Sequence, residues 1–218
     1  MLKALPLILA GFLAFSLPAK AEETAQMQHT DPFPALVAPE VGKPAPDFTR
    51  TDTNGQEVNL SALKGKTVVL EWTNHLCPFV KKHYGSGNMQ KLQEEAAANG
   101  VVWISVISSA HGMEGNITPE EANKITLEQN AHPAHKILDE PGTLGRLYDA
   151  KTTPHVFVID KDGTLVYAGA IDNDDSVRPV NNPDTKNYVR EALNALKDGK
   201  PIETPSTKPY GCSVKYAH

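Results

Sequence analysis

The chain has 218 residues, 40% of them hydrophobic and 22% charged, enough apolar matter for one soluble core of ordinary size and too little repetition for a fibre or coiled coil. Lys and Arg total 21 against 26 Asp and Glu, a formal balance of -5. A protein of that sign offers no broad basic face, which excludes nucleic acid as the expected partner.

Lys3, the apolar run Leu5 to Leu17 and the small-x-small triplet Ala19-Lys20-Ala21 have the order of a secretory signal peptide. An uncleaved anchor fits less well, because a bilayer crossing needs about 20 apolar residues and Pro6 and Pro18 interrupt this run. Cleavage after Ala21 removes Lys3 and Lys20 and takes the balance from -5 to -7. The expectation is an exported protein with no stable membrane insertion. Residues 22–40 carry Pro32, Pro34 and Pro39 without apolar periodicity and read as a flexible leader.

The folded domain is expected over 41–199. Phe48 and the alternating Val58 and Leu60 flank Asn54-Gly55, a hairpin signal. Thr67 to Trp72 is an apolar, β-branched run suited to a central strand. Pro78 to Asn99 has helical character, broken near Gly85 and Gly87 and resumed by Met89, Leu92 and Ala96, with Gly100 as its stop. Val101 to Ile107 is a second buried strand, so strand, helix and strand form a βαβ unit with parallel pairing.

Thr118, Pro119 and Glu121 have the spacing of a capping box that opens another helix, and a short one is expected over Thr143 to Tyr148. Val156 to Ile159 and Leu165 to Ala168 pair across Asp160 to Gly163 as a tight hairpin. A last helix is expected from Pro183, capped by Asn182, to Asp198. The fold class is therefore α/β with a central mixed sheet, flanking helices and an N-terminal β-hairpin extension. Residues 200–218, with Pro201, Pro205 and Pro209, are expected to be an extended tail rather than another packed element; Cys212 lies there.

Cys77 and Cys212 are the only cysteines. In an oxidising compartment they can serve as one structural staple, or at least one of them can be reactive. Cys77 directly follows a strand and precedes Pro78, a residue suited to the first turn of a helix. Unpaired N–H groups and the helix dipole at such a place favour thiolate over thiol. Lys81, Lys82 and His83 follow within two turns; a solvated helix face is the favoured reading for each, and added positive potential at Cys77 the alternative.

Trp72-Thr73-Asn74-His75-Leu76-Cys77-Pro78-Phe79-Val80 resembles the active site of the thioredoxin superfamily, and Thr152-Thr153-Pro154-His155 resembles the loop in which that superfamily places a cis-proline opposite its reactive sulfur. The stretch from Gly42-Lys43-Pro44-Ala45-Pro46-Asp47-Phe48 to about Gly199 resembles the redoxin, or peroxiredoxin-like, branch. The closing Tyr210-Gly211-Cys212-Ser213-Val214-Lys215-Tyr216 resembles the tail of exported bacterial redoxin-domain proteins. The resemblance implies a thioredoxin-like fold, a bacterial periplasmic location and a thiol oxidoreductase with Cys77 as nucleophile, without a cofactor. It further implies a pocket shaped by Trp72, Asn74, His75, Pro78, Thr153 and Pro154, in which the Thr153 backbone offers hydrogen bonds to substrate. The implied partners are a peroxide or a protein disulfide and an external thiol reductant.

Two departures qualify the resemblance. Val80 stands where a dithiol thioredoxin has its second cysteine, and Asn74 stands where a typical peroxiredoxin has Thr or Ser to orient peroxide, a contact that Asn74 or His75 is left to supply. Cys212 is the remaining candidate to resolve an oxidised Cys77: the fourteen residues from Gly199 span about 46 Å at ~3.3 Å each, and a domain of this size is about 40 Å across. The alternative is a non-catalytic module that binds copper or a client protein in the same groove. His75, His83, His111, Met113, His132 and His135 are its candidate ligands, although Pro133 works against a helix that would align His132 with His135.

Overall fold

The computed structural model describes Met1 and residues 38–179 and 184–217. The expected signal peptide and nearly all of the leader, with Asn182 and Pro183, lie outside the described residues.

The described residues from 38 onward form one compact unit. β1 (Thr49–Thr51) and β2 (Glu57–Asn59) make the N-terminal hairpin, with Thr49 opposite Asn59. A five-stranded sheet follows, built from β3 (Val68–Trp72), β4 (Val102–Ile107), β5 (His135–Leu138), β7 (His155–Ile159) and β8 (Leu165–Gly169) in the order β5-β4-β3-β7-β8. β3, β4 and β5 run parallel, and β7 and β8 antiparallel to their neighbours, so the sheet is mixed. β5 was not expected. Lys136 in its centre and Pro133 just before it hide a strand that is only four residues long and lies at the sheet edge.

All five residues of β3 are buried, because both faces of the sheet are covered. Val68, Leu70 and Trp72 enter one core with Phe48, Val58, Ile104, Tyr148 and Phe157. Val69 enters the other with Val80, Met89, Leu92, Trp103, Val158 and Val189. The period-two alternation of a strand thus divides one apolar run between two cores.

The expected helical stretch after β3 is two helices, α1 (Pro78–Gly85) and α2 (Asn88–Ala98), separated at Gly87, whose left-handed φ of 73° favours glycine. α3 (Pro119–Glu128) has the capping box anticipated from Thr118 and Glu121, and α4 (Thr143–Leu147) is short. α5 (Tyr188–Lys197) starts later than expected. Its cap is Asn187, whose side chain accepts from the Arg190 N–H, and Asn187 is held in a bridge with Asp172 that keeps the preceding residues out of the helix.

The tail also differs from its expectation: it is extended, but packed. Thr207 N–H donates to Ala168 O and Ala168 N–H to Pro205 O, which attaches the tail to β8. Farther on, β9 (Cys212–Ser213) pairs antiparallel with β6 (Thr152–Thr153), and Val214 is buried in the first core. Its three prolines fit because the donors that matter belong to Thr207 and to residues beyond Pro209.

Candidate active site

β3 delivers the chain to a tight turn over Thr73–Leu76, and α1 carries it away. Asn74 organises that turn. Its Oδ1 accepts from the Leu76 N–H at 2.9 Å, its backbone carbonyl accepts from the Cys77 N–H at 3.0 Å, and its Nδ2 donates to Glu114 O at 3.1 Å. Gly115 packs against the same amide so closely that a Cβ there would stand 2.6 Å from it. The amide is therefore committed to the turn.

Cys77 is the N-cap of α1, with Pro78 in the first turn, as the sequence suggested. The residue is fully buried. Its Sγ lies 3.0 Å from Thr153 O and 2.7 Å from Cys212 Sγ, and the two sulfurs are free thiols. The tail thus brings together two residues far apart in sequence.

The two thiols are biased in opposite directions. Burial acts to raise Cys77, but the bond from the Cys212 thiol and the Val80 N–H of the first helical turn outweigh it, and Cys77 is held below the ordinary thiol range. Cys212 is pushed up, first by burial and then by its contact with Cys77. The pair is therefore biased toward thiolate character on Cys77 and toward retention of the proton on Cys212.

The Thr153–Pro154 peptide bond is cis, and both residues are buried beside the sulfurs. Thr153 is the strand partner of Cys212, so the edge of β6 beside Cys77 is taken by the chain's own tail. Gly211 permits this approach: its φ is 138°, and a Cβ built there would collide with the Thr153 carbonyl.

His75 is half-buried, with an unpartnered, buried Nδ1, and burial lowers its pKa. Trp72 points into the interior. It is fully buried in the first core, on the sheet face opposite Cys77's cluster, with its indole N–H donating to Ser108 Oγ at 3.0 Å and its ring against Tyr148 and Phe157.

Lys81 is exposed, but Lys82 and His83 contradict the solvated-face expectation. Their side chains are fully buried against Asp172 and Tyr210. No local sequence signal marks them, because both partners lie about ninety residues or more downstream. Tyr210 and Gly211 were visible only as part of the tail motif.

The other histidines disperse. His111 lies 3.9 Å from Glu140, His132 3.4 Å from Glu94 and His135 2.9 Å from Asp52. Among the described residues no cluster of three or more His, Cys, Asp or Glu side chains is arranged to hold a metal. Among them, too, no helix is long and apolar enough to cross a membrane.

The chain is similar to known proteins at the levels of sequence and fold. Residues 40–188 match the model of the Redoxin family. Thiol-disulfide oxidoreductase ResA of Bacillus subtilis (strain 168) is 24% identical over 160 residues, 73% of this chain and 77% of that protein. An uncharacterized conserved protein from Geobacillus kaustophilus superposes with a TM-score of 0.70 at 31% identity, covering 82% of this chain and 93% of the other. A hypothetical protein from Sinorhizobium meliloti 1021 gives 0.71 at 23% identity, over 83% and 97%. The mixed sheet, its flanking helices and the cis-proline beside a helix-capping cysteine make the fold thioredoxin-like, as the sequence suggested. With more than half of its length matched by the family model, the chain belongs to the Redoxin family.

Proposed function

We propose that the protein is a two-cysteine thiol–disulfide oxidoreductase in which Cys77 attacks and Cys212 resolves. The observation that carries this reading is the 2.7 Å approach of the two sulfurs, with the thiolate bias on Cys77 and the proton on Cys212. In the first step the Cys77 thiolate attacks one sulfur of a disulfide, forms a mixed disulfide and expels the other sulfur as a thiolate. Cys212 then passes its proton to that departing thiolate or to solvent and attacks Cys77 Sγ. The Cys77–Cys212 disulfide forms and the second substrate thiol leaves. An external dithiol reverses the sequence and restores both thiols.

The likeness to thiol-disulfide oxidoreductase ResA supports a disulfide as substrate. So does the state of Asn74, whose amide already holds the turn and is not free to orient a peroxide. An oxidising, periplasmic setting fits the expected export signal and a disulfide that must persist between turnovers.

The test is single-turnover loss of thiols in the reduced protein, with oxidised glutathione and with hydrogen peroxide in parallel. The proposal expects two thiols lost per chain with the disulfide, none in Cys77→Ser, and a slower reaction with peroxide. Preference for peroxide would move the assignment to a peroxidase; loss of no thiol with either oxidant would favour a binding module.

A further inference from the structure

Tyr210 stands two residues before the tail cysteine, and its hydroxyl is the meeting point of a buried polar cluster. The side chains of Lys82, His83 and Asp172 are each fully buried. The Tyr210 hydroxyl donates to Asp172 Oδ1 and lies 3.0 Å from His83 Nε2 and 3.4 Å from Lys82 Nζ. Lys82 Nζ also donates to Asp174 O, sits 3.7 Å from Asp172 Oδ1 and lies 5.0 Å over the Tyr210 ring. Phe79 covers that ring from the first turn of α1.

The donors and acceptors have one consistent order. Asn88 Nδ2 donates to His83 Nδ1 at 2.9 Å, so the neutral imidazole carries its proton on Nε2 and gives that bond to the Tyr210 oxygen. Tyr210 in turn gives its own proton's bond to Asp172.

Burying an ammonium, an imidazole, a carboxyl and a phenol together costs stability unless each finds partners; Asp172 Oδ1 is bonded while Oδ2 is buried without a hydrogen bond, so the network fixes geometry more than it adds stability. Its members come from α1, from the loop after β8 and from the tail. What it fixes is the distance between α1 and Tyr210. Cys77 opens α1, and Gly211 separates Tyr210 from Cys212.

We propose that Tyr210 is a positioning residue for the resolving step: its hydroxyl fastens the tail to the helix that begins at Cys77 and so holds Cys212 Sγ at Cys77 Sγ. This inference rests on the reading of Cys77 as the attacking sulfur and Cys212 as the resolving one. The chemistry is the balanced exchange given above, in which Cys212 displaces the second substrate thiol from Cys77. Tyr210 contributes no proton and no electron to it; it raises the local concentration of one sulfur at the other.

Tyr210→Phe keeps the ring against Phe79 and Lys82 and removes only the hydroxyl. At equilibrium in mixtures of reduced and oxidised glutathione, the constant for forming the Cys77–Cys212 disulfide should fall about tenfold, about 30 mV for this two-electron couple. The Cys77–glutathione adduct should accumulate in intact mass spectra. In a Cys212→Ser background the alkylation rate of Cys77 should be the same with and without Tyr210→Phe. An unchanged equilibrium constant overturns the proposal. A Cys77 alkylation rate that falls with the substitution in that background also overturns it, because Tyr210 then supports the helix rather than placing the tail.

Hydrogen exchange on the reduced chain is a second test. Amides from Cys212 to Val214 should exchange faster in Tyr210→Phe than in wild type, and equal protection in the two overturns the proposal. If the wild-type chain forms no Cys77–Cys212 disulfide in glutathione, the parent reading fails and this inference with it, a result seen before any Tyr210 variant is made.

Discussion

Thr153 and Cys212 face each other as antiparallel strand partners, and the Thr153 carbonyl also lies 3.0 Å from Cys77 Sγ. One residue therefore adjoins both sulfurs, and backbone pairing at Thr153 places the tail strand to which the Tyr210 anchor is also attached. The free edge of β6, which a peptide disulfide could otherwise pair with, is filled by the chain itself.

Gly211→Ala tests that arrangement. The new Cβ meets the Thr153 carbonyl, and a φ of 138° is unfavourable for alanine, so β9 should lift from β6 while the central sheet stays intact. Formation of the intramolecular disulfide is expected to slow at least tenfold, measured by acid quench, alkylation and mass spectrometry. The melting temperature of the reduced protein should fall by a few degrees at most.

The opposite bias of the two thiols predicts a pH profile. Alkylation of Cys77 by iodoacetamide follows its thiolate fraction, so its rate should fall as pH drops through a midpoint below the ordinary thiol value of about 8.5. Cys212→Ser weakens the donor to that thiolate and should move the midpoint upward. Cys212 itself should alkylate only at higher pH.

Acid sensitivity should arise in part from His155. Burial holds its imidazole down to about 4, and its Nδ1 accepts from the Lys151 N–H at 3.3 Å, which requires the neutral ring. Between about 6.5 and 4 the unfolded chain binds a proton that the folded chain does not, so stability is complete above 6.5 and declines as pH falls. The contribution is about 2 kcal/mol between pH 7 and pH 5. Urea unfolding of His155→Asn at the two pH values should show a smaller loss than wild type by about that amount.

Glu71 should matter for stability through its partners rather than its charge. It is fully buried in β3 and accepts from Trp103 Nε1 at 2.9 Å, Ser105 Oγ at 3.0 Å and Tyr84 Oη at 3.0 Å, and burial raises its pKa. Glu71→Leu strands those donors, at a cost of about 3 kcal/mol or more in denaturant unfolding. Glu71→Gln retains an acceptor and should cost less.

The parts of the fold legible in the sequence are those specified locally. Val68 to Trp72 and Val102 to Ile107 announce themselves by composition, Gly87 by the break in a helical stripe, and α3 by its capping box. Cys77 was legible for the same reason, since a strand end, a cysteine and Pro78 are contiguous. What was hidden depends on partners far along the chain. Lys82 and His83 read as solvent-facing because Asp172 and Tyr210 are remote, and the proline-rich tail read as unattached because its pairing with Thr152 and Thr153 has no local signature. Trp72 and Cys77 are near in sequence, but strand alternation and the turn send the two to opposite faces of the sheet.

Peptide mapping after treatment of the reduced chain with one equivalent of oxidised glutathione is the most direct test of the central claim. The account predicts a single cross-linked pair joining the peptide of Cys77 to that of Cys212 within one molecule, at a yield independent of protein concentration. A glutathione adduct that persists on Cys77 beside a free Cys212, or a cross-link found only between two chains, would contradict it.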